Sequence, residues 1–359
     1  MRAAILPGLN QPLDVRSDVQ AVGPGPGEVR IRIVASGVCH SDISAQNGTL
    51  PQPVPAVLGH EGAGEVIAIG EHVHNVAVGD HVIVSWVPPC GECAACRRGQ
   101  PNLCTTLFLA GAVSQRFLSG ETPVFGFAGT GTFAEECVVP HQAAIKIPDD
   151  VPLDVASLIG CGVMTGVGAA LKTAHVEPGS SVVVIGCGGV GISVIQGARI
   201  AGAAEIVAVD KVPEKLEMAK KFGATHGASP EKLTELAAEL TGGQGFDYAF
   251  EVIGRPETIR AAYDATRRGG TTVVVGAGAM DMMVTFNAFE LFFSEKKLLG
   301  SFYGSADVRT DFHTLLRLWR TGRLDLEGMI TKRIDISEIN DAFDACLSGQ
   351  VIRQVIEFK

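Results

Sequence analysis

The chain has 359 residues, with 29 basic and 39 acidic side chains that give a formal net charge of −10, and 46% of its residues are hydrophobic. This length accommodates two domains with separate cores, and a composition with 44 glycines is typical of a compact α/β enzyme rather than of a disordered or fibrous protein. The acidic excess and the lack of a basic run argue against nucleic acid and anionic membrane surfaces as partners.

The first part of the chain, to about residue 150, is predicted to be rich in β-strands. Residues 1–8 contain too few apolar side chains for a signal peptide. Residues 29–33 alternate apolar and basic side chains, as a half-buried strand does, and residues 64–69 and 81–86 also favour strands. We therefore expect a β-rich domain here.

Four cysteines form the most distinctive motif. Cys90, Cys93, Cys96 and Cys104 are separated by two, two and seven residues. Such short links let neighbouring sulfurs occupy adjacent corners of a tetrahedron, and a cage of four thiolates usually holds zinc. Because four protein ligands leave no open position, the motif predicts a structural zinc site. Nine cysteines in a long chain, four of them in a metal pattern, are typical of a reducing environment, so we expect a cytoplasmic protein.

A second metal site is suggested by three residues that lie far apart in the sequence: Cys39, His60 and Cys161. Two thiolates and one imidazole leave one position of a zinc ion open, which is typical of catalytic zinc. Glu61 would lie beside this site or act as a weak ligand, and Asp42 would accept a hydrogen bond from His60 and fix its tautomer. Individually, Cys161 also fits a small core residue and His60 a turn residue, so spacing alone leaves both interpretations open.

After about residue 160 the pattern changes to alternating strands and helices. Strands are predicted at 181–185, 205–209, 247–252 and 271–275, and helices at 190–201, 213–222 and 257–266. This alternation predicts a parallel, doubly wound sheet. Residues 181–204 are almost wholly apolar, but glycines, Gln196 and Arg199 interrupt them, so they fit a strand and a helix better than a membrane span. A last helix at 312–321 and a strand at 355–358 are expected to return to the first domain.

A dinucleotide-binding motif follows the first of these strands. Residues 186–191 have the spacing G-x-G-x-x-G and open the next predicted helix. Gly186 permits a tight turn, Gly188 lets the backbone approach a pyrophosphate, and Gly191 lets the helix pack closely on the strand. The carboxylate of Asp210, which ends the next strand, would bind a ribose 2′-hydroxyl and repel a 2′-phosphate, which favours NAD over NADP. The alternative is a packing turn that binds no nucleotide.

Together these motifs resemble those of the zinc-containing medium-chain alcohol dehydrogenases, in their liver-type, class III-like branch. The motifs at 39–42, 59–62 and 160–162, the cysteine quartet and the glycine motif follow that family's order over nearly the whole chain. The resemblance implies an α/β protein with a GroES-like β-rich catalytic domain, into which a doubly wound parallel-sheet Rossmann domain is inserted, and an active site in the cleft between them. The implied limits are 1–160 and 304–359 for the catalytic domain and 161–303 for the Rossmann domain.

The same resemblance implies roles for individual residues. The catalytic zinc would bind Cys39, His60 and Cys161, and the structural zinc would bind Cys90, Cys93, Cys96 and Cys104. The residues implied in proton transfer and around the catalytic zinc are Ser41, Asp42, Ser44 and Glu61. The residues implied to contact NAD are His40, Thr165, Gly186, Gly188, Gly189, Val190, Gly191, Asp210, Lys215 and Arg353. The residues implied to line the substrate pocket are Leu50, Trp86 and Phe133.

The chain departs from the family pattern at two positions. Ser44 stands where liver-type members often have a histidine that relays the proton, and His40 stands where an arginine often contacts phosphate. A neutral His40 would hold the pyrophosphate less tightly and ease cofactor release. The long connection between Cys104 and Thr132 favours the dimeric branch, so we expect a homodimer, with a homotetramer as the alternative.

The predicted function is hydride transfer between a primary alcohol and NAD, with one catalytic and one structural Zn²⁺ per chain and a small-molecule alcohol or aldehyde as the partner. Two alternatives remain open. The first is oxidation of the adduct between formaldehyde and a thiol, which would require that thiol for turnover. The second is a non-catalytic, NAD-responsive zinc protein, which would hold about one zinc per chain and form no NADH.

Overall fold

The computed structural model describes residues 1–349 and 351–359, which fold into two compact units. The first unit combines Met1–Cys161 with Asp307–Lys359, and the second unit is Gly162–Ala306. The chain therefore leaves the first unit once and returns to it.

Strands dominate the first part of the chain. They are β1 (Ala3–Leu6), β2 (Asp14–Arg16), β3 (Val19–Ala21), β4 (Glu28–Val38), β5 (Ala56–Val57), β6 (Glu61–Ile69), β7 (His81–Val84), β8 (Gln115–Ser119), β9 (Thr122–Gly126), β10 (Glu136–Pro140) and β11 (Ala144–Lys146). The helices between and after them are short: α1 (His40–Gln46), α2 (Ala94–Arg97), α3 (Thr105–Ala112) and α4 (Leu153–Ser157).

The second unit alternates helices and strands. Its elements are α5 (Gly162–Gly168), β12 (Ser181–Ile185), α6 (Gly189–Ala201), β13 (Glu205–Val209), α7 (Pro213–Phe222), β14 (His226–Ala228), α8 (Leu233–Thr241), β15 (Phe246–Glu251), α9 (Pro256–Ala265), β16 (Thr266–Val274), α10 (Ala288–Ser294) and β17 (Lys297–Gly300). The order across its sheet is β14-β13-β12-β15-β16-β17, and every pairing is parallel. The predicted doubly wound parallel sheet is confirmed.

The returning segment completes the first unit with α11 (Val308–Arg320), β18 (Ile330–Ile334), α12 (Ile339–Ser348) and β19 (Arg353–Glu357). Its last strand, β19, pairs antiparallel with β4, so the end of the chain closes a sheet begun near its start. That sheet has the order β11-β7-β6-β4-β19-β18, with β10 also paired to β4, and the other sheet of the unit has the order β2-β1-β5-β9-β8-β3.

The central strand β4 illustrates how the sequence specifies this unit. Val29, Ile31 and Ile33 are buried in the core, while the intervening Arg30 and Arg32 form ion pairs at the surface with acidic residues of β10 and β6. This period-two alternation is the pattern of a sheet with one buried face. By contrast, four consecutive apolar residues of β12, from 182 to 185, are all buried, because helices cover both faces of a parallel sheet.

Among the described residues, no single helix is both long and apolar enough to cross a membrane. In this part of the chain, only the consecutive helical segments Leu153–Gly160 and Gly162–Thr173, taken together, have the length and composition of a span, and most of their residues are buried. The apolar stretch 181–204 consists of a strand and a helix, as predicted.

Candidate metal centres and cofactor-binding turn

Three chain segments of the first unit bring a cluster of metal-ligating side chains together. β4 and β6 pair so that Gly37 lies opposite Glu61, which places Cys39, just after β4, near His60, just before β6. Gly160 supplies the third segment: a Cβ atom here would lie 3.0 Å from the Val84 carbonyl oxygen and 3.4 Å from the Glu61 Cα, so glycine makes this close approach easier than any larger residue would.

The resulting cluster contains Cys39, His60, Glu61 and Cys161, all buried, with one potential ligand atom from each within 4.8 Å of the others. In a tetrahedral zinc site with Zn–S bonds of about 2.3 Å, ligand atoms lie about 3.8 Å apart, so a separation below 4.8 Å fits an ion at the centre. Two sulfurs, an imidazole and a carboxylate are also donors that zinc accepts. These residues thus fit a resident zinc ion.

Asp42 organises this cluster from the helix α1. Its Oδ1 lies 3.1 Å from His60 Nδ1 and accepts a hydrogen bond from the Gly59 N–H at 3.0 Å, while Oδ2 accepts from the Cys39 N–H at 3.0 Å. Cys39 is the N-cap of α1 and Asp42 its third residue, so the carboxylate also caps the helix. A hydrogen bond from Nδ1 to Asp42 leaves His60 Nε2 free to act as a metal ligand.

The two cysteines of the cluster form a tightly coupled pair. A hydrogen bond from the Cys161 thiol holds the pKa of Cys39 well below its usual range, and the same interaction raises the pKa of Cys161 well above it. Burial opposes protonation of the imidazole, yet the neighbouring Asp42 raises the pKa of His60 well above its ordinary value.

Arg353 occupies a different place from the one implied by the resemblance. It is only 4% exposed, its guanidinium forms an ion pair with Glu61, and Nη1 donates to the Val38 carbonyl oxygen at 3.4 Å. In this structure the partner of Arg353 is thus the Glu61 carboxylate of the cluster, and its contact with the pyrophosphate stays a prediction. Burial raises the pKa of Glu61 to about 7, although the Arg353 charge opposes the rise.

The second cluster contains the quartet Cys90, Cys93, Cys96 and Cys104, whose sulfurs all lie within 4.8 Å of one another. The four-residue helix α2 begins immediately after Cys93, whose sulfur accepts from the Cys96 N–H. Although burial opposes ionisation, the N–H groups of Glu92 and Cys93 lower the pKa of Cys90 to about 6. Four converging sulfurs, stabilised in part by backbone donors, fit a structural zinc ion.

Aromatic rings lie on one side of the first cluster. The His60 ring makes edge-to-face contacts with Trp86, at a centroid distance of 6.2 Å, and with Phe127, at 5.2 Å. Trp86 in turn contacts Phe108 of α3 at 5.8 Å. Sequence reasoning named Trp86 as a pocket residue but missed Phe108 and Phe127, because an isolated aromatic residue outside a periodic segment carries no spacing signal.

The remaining residues named around the catalytic site have different environments. The structure places Phe133 in the hydrophobic core, with no exposed surface and against Phe343, and its place in the substrate pocket stays a prediction. Leu50 is half-buried and packs against that core. On α1, Ser41 is half-buried and Ser44 is 8% exposed.

The glycine motif of the second unit forms the turn between β12 and α6. Gly186 has a φ of +100°, which favours glycine, and a Cβ on Gly191 would lie 1.9 Å from the Gly186 carbonyl oxygen. A Cβ on Gly188, the N-cap of α6, would meet nothing within 4 Å, and helix α6 begins at Gly189. The turn therefore combines a tight backbone with open space in front of a helix N-terminus, which suits a phosphate group.

Other residues named for the cofactor lie around this turn. Asp210 accepts hydrogen bonds from the Cys187 N–H at 2.8 Å and the Val212 N–H at 3.0 Å, so its carboxylate is fixed beside the motif. A Cβ on Gly166 would lie 2.4 Å from the Val190 carbonyl oxygen, so α5 and α6 cross closely and bring Thr165 near Val190. Two further residues remain apart from these contacts: Lys215 is half-buried on α7, and His40 is exposed at the start of α1.

Comparison with known proteins identifies the family. Residues 25–149 match the family model of the alcohol dehydrogenase GroES-like domain, and residues 189–320 match that of the zinc-binding dehydrogenases. The chain is 39% identical to alcohol dehydrogenase class-3 of Drosophila melanogaster over 371 residues, which cover 99% of this chain and 97% of the relative. It is 35% identical to S-(hydroxymethyl)glutathione dehydrogenase of Paracoccus denitrificans over 372 residues, which cover 99% of both chains.

A solved structure extends this similarity to three dimensions. The benzyl alcohol dehydrogenase of Acinetobacter calcoaceticus superposes with a TM-score of 0.93 and 32% sequence identity, covering 100% of this chain and 99% of that one. The family matches, the full-length relatives and the two metal-ligating clusters agree with one another. The chain belongs to the zinc-containing medium-chain alcohol dehydrogenases and is an NAD-dependent oxidoreductase of the zinc type.

Proposed function

We propose that the chain oxidises primary alcohols with an aromatic or medium-chain group to aldehydes, with NAD as the hydride acceptor. The observation that carries this proposal is the buried cluster of Cys39, His60 and Cys161 with aromatic rings beside it. Aromatic rings beside the cluster favour an alcohol with an apolar or aromatic group. Contact between two aromatic rings stabilises binding by more than the burial of their apolar area alone. The benzyl alcohol dehydrogenase with which the structure superposes supports the same class of substrate.

Each residue of the centre has a proposed role. Cys39, His60 and Cys161 would hold the catalytic zinc, which acts as a Lewis acid toward the alcohol oxygen and lowers its pKa when bound. Ser41 would accept the hydroxyl proton, and NAD, when bound, would supply the acceptor for the hydride, a proton with two electrons, that leaves the alcohol carbon. Asp42 keeps the His60 imidazole in one tautomer and orientation.

Because position 44 is a serine, the proton would leave Ser41 without passing through a histidine there. Ser44 is nearly buried, whereas His40 is exposed one residue before Ser41. We therefore propose that the proton passes to solvent through water or through His40.

NAD is proposed to bind at the glycine motif. The turn from Gly186 to Gly191 would receive the pyrophosphate, Asp210 the ribose hydroxyls, and Thr165 and Val190 the nicotinamide. The fixed carboxylate of Asp210 supports NAD over NADP, because it would repel a 2′-phosphate.

A second zinc ion is proposed in the cysteine quartet, with a structural role. The proposed content is thus about two zinc ions per chain, one for each cluster. Metal analysis of the purified protein measures this content directly.

An absorbance assay at the NADH band tests the proposed function. Benzyl alcohol, medium-chain primary alcohols and their secondary isomers are compared, with and without a zinc chelator. We expect NADH formation with the primary alcohols and its loss after chelation. If no alcohol of the panel reduces NAD, the proposed substrate class is wrong.

A second candidate substrate is the adduct of formaldehyde and glutathione, supported by the 35% identity to an S-(hydroxymethyl)glutathione dehydrogenase. The same assay distinguishes it when formaldehyde is offered with and without glutathione. NADH formation that requires glutathione, together with slow turnover of benzyl alcohol, would favour this candidate over the first.

We also propose that the protein is a homodimer in a reducing, cytoplasmic setting. β17 is the edge strand of the parallel sheet, and all four of its residues are exposed, next to the exposed rings of Phe289 and Phe292 on α10. An exposed apolar strand edge readily pairs with another strand. None of the nine cysteines forms a disulfide, which supports a reducing compartment.

A further inference from the structure

A buried carboxylate that the proposed chemistry does not use lies at the carboxyl end of β15. Glu251 is the last residue of that strand and has no exposed surface. It lies opposite Ile185, the last residue of β12, so it is beside the point at which the glycine motif leaves the sheet. The carboxyl edge of a parallel sheet is where ligands bind in doubly wound folds.

All of the hydrogen bonds of this carboxylate converge on one oxygen. Glu251 Oε1 accepts from the Ile253 N–H at 2.8 Å, the Gly254 N–H at 2.7 Å and the Thr258 hydroxyl at 2.7 Å. Within the described part of the chain, Oε2 is buried and has no hydrogen-bond partner. The Glu251 side chain thus stabilises the turn that follows β15.

That turn contacts the glycine motif. A Cβ on Gly186 would lie only 2.8 Å from Ile253 Cγ1, so the Ile253 side chain packs directly over the first glycine of the motif. Ile253 is nevertheless 44% exposed, which means that it presents apolar surface at the same edge of the sheet. A small displacement of Ile253 would therefore change the surface beside the motif.

The neighbouring loop is held by the same residue. The Glu251 carbonyl oxygen accepts from the Val275 N–H at 2.8 Å and the Gly276 N–H at 3.1 Å. A Cβ on Gly276 would lie 2.1 Å from the Gly254 nitrogen, so the two loops pack backbone against backbone. The side chain of Glu251 therefore holds the loop after β15, and its main chain holds the loop after β16.

We propose that Glu251 is a positioning residue for the dinucleotide: its carboxylate holds the turn 252–254 so that Ile253 forms a fixed apolar wall beside the glycine motif. The inference rests on the proposed binding of NAD at that motif. An acceptor oxygen is needed here, because the buried Gly254 N–H and the partly buried Ile253 N–H would otherwise lack a partner and the turn would loosen.

Two substitutions of Glu251 distinguish a role in positioning the turn 252–254 from a general contribution to the stability of the fold. Glu251→Ala removes every acceptor of the turn, whereas Glu251→Gln retains an oxygen at the Oε1 position and replaces only the unpartnered Oε2 with an amide nitrogen. Glu257→Ala, which removes an exposed carboxylate on the following helix α9, is the matched control. NADH affinity by fluorescence titration, KM for NAD, KM for alcohol and kcat are measured for each zinc-loaded variant.

We expect Glu251→Ala to raise both the NADH Kd and the KM for NAD by about tenfold, with kcat and the KM for alcohol changed by less than about twofold. Glu251→Gln should stay within about threefold of the unchanged protein, and Glu257→Ala should match it. Wild-type NADH affinity in Glu251→Ala would overturn the proposal, and so would an equal loss in the Ala and Gln variants.

Two further measurements keep the outcome decisive. If Glu251→Ala does not fold, Thr258→Val removes one donor to the same oxygen and should raise the NADH Kd by about threefold. Amide hydrogen exchange of the cofactor-free protein gives a readout that does not require NAD: Ile253 and Gly254 should exchange faster in the Ala variant and not in the Gln variant. A wild-type protein that fails to bind NADH would refute the proposed function, while the exchange rates would still test whether Glu251 holds the turn.

Discussion

Asp42 connects the secondary structure of the first unit to its metal-ligating cluster. The single carboxylate accepts hydrogen bonds from the backbone of Cys39 and Gly59 and lies within bonding distance of the His60 ring. Because it is fully buried, each of these groups would lose its partner without water to replace it. The geometry of the cluster therefore depends on a residue that is not itself a ligand.

The first prediction concerns Asp42→Asn. The amide keeps the size of the side chain but removes its charge, so we expect the zinc affinity of the catalytic centre to fall by about 10–100-fold, with a corresponding loss of activity. Competition with a chelator, followed by metal analysis, measures this affinity. Asp149→Asn, at an exposed position, is the control. Equal zinc retention in both variants would show that Asp42 does not support the centre.

Individual residues differed in how well the sequence could locate them. The cysteine quartet and the glycine motif could be identified from the sequence, because the members of each lie close together along the chain. The cluster of Cys39, His60 and Cys161 depends on pairing between distant segments, so spacing alone could not assemble it. The environments of Phe133 and Arg353 could not be derived from spacing either, since burial in the core and pairing with Glu61 arise from the approach of segments that are remote in sequence.

At the scale of elements, hydrogen bonds and an ion pair of Asp247 join the beginning of β12 to the beginning of β15. Asp247 Oδ2 accepts from the Ser181 N–H at 2.8 Å and from its hydroxyl at 2.9 Å, and Oδ1 accepts from Arg267 Nε at 2.7 Å. Burial opposes ionisation, but the bonds from Ser181 and Arg267 hold the pKa of Asp247 below its ordinary value. These interactions of Asp247 thus fix the start of two central strands of the parallel sheet.

The second prediction is that Asp247→Ala lowers the free energy of unfolding by about 1–3 kcal/mol at neutral pH, because the Ser181 N–H and Arg267 lose a charged acceptor. A depressed pKa in the folded state means that this stabilisation is present above the pKa of the unfolded chain, about 3.9, and is lost as the pH falls through the folded value. The difference in melting between the Ala variant and the unchanged protein should therefore shrink below about pH 4. Glu239→Gln on the exposed side of α8 is the control, and a difference that grows on acidification would contradict the assignment.

The third prediction concerns the segment around α2. This helix has only four residues and none of them is buried, so apolar packing cannot hold it in place. In Cys93→Ala we expect the zinc content to fall from about two ions per chain to about one, and the melting temperature and soluble yield to fall with it. Cys346→Ala removes a thiol outside both clusters and should change neither quantity. A Cys93→Ala protein with unchanged zinc content and melting would show that the quartet does not clamp this segment.

Most elements could be predicted because their periodicity is local. β12, β13 and α7 have the predicted bounds, since apolar runs, a first-turn proline and a terminal glycine mark their ends. The pairing of β19 with β4 could not be read in the same way, because nothing in a strand near residue 355 indicates which of several distant strands it joins. Periodicity specifies the type of an element, whereas its partner depends on the packing of the whole unit.

At the scale of the whole molecule, α10 and the edge strand β17 carry several of the exposed apolar side chains. Phe289, Phe292 and Phe293 of α10 are exposed, as are Leu298 and Leu299 of β17. An edge strand with apolar side chains and free backbone groups is prone to uncontrolled pairing unless a defined partner covers it. A second copy of the chain, with the same edge presented across a two-fold axis, would cover it with a matching strand.

The last prediction is that charges on this edge separate the proposed dimer. The double substitution Leu298→Lys and Leu299→Lys places like charges opposite one another across the two-fold axis, so we expect a monomer by light scattering after size exclusion, where the unchanged protein is a dimer. Leu347→Lys introduces a charge at an exposed leucine on α12 of the other unit and should remain dimeric. Since both leucines of β17 are partly exposed in the single chain, the substituted protein should keep its zinc content and bind NADH as a monomer. A dimer that survives the double substitution would mean that another surface joins the two copies, and an unchanged protein that is monomeric at micromolar concentration would refute the assembly itself.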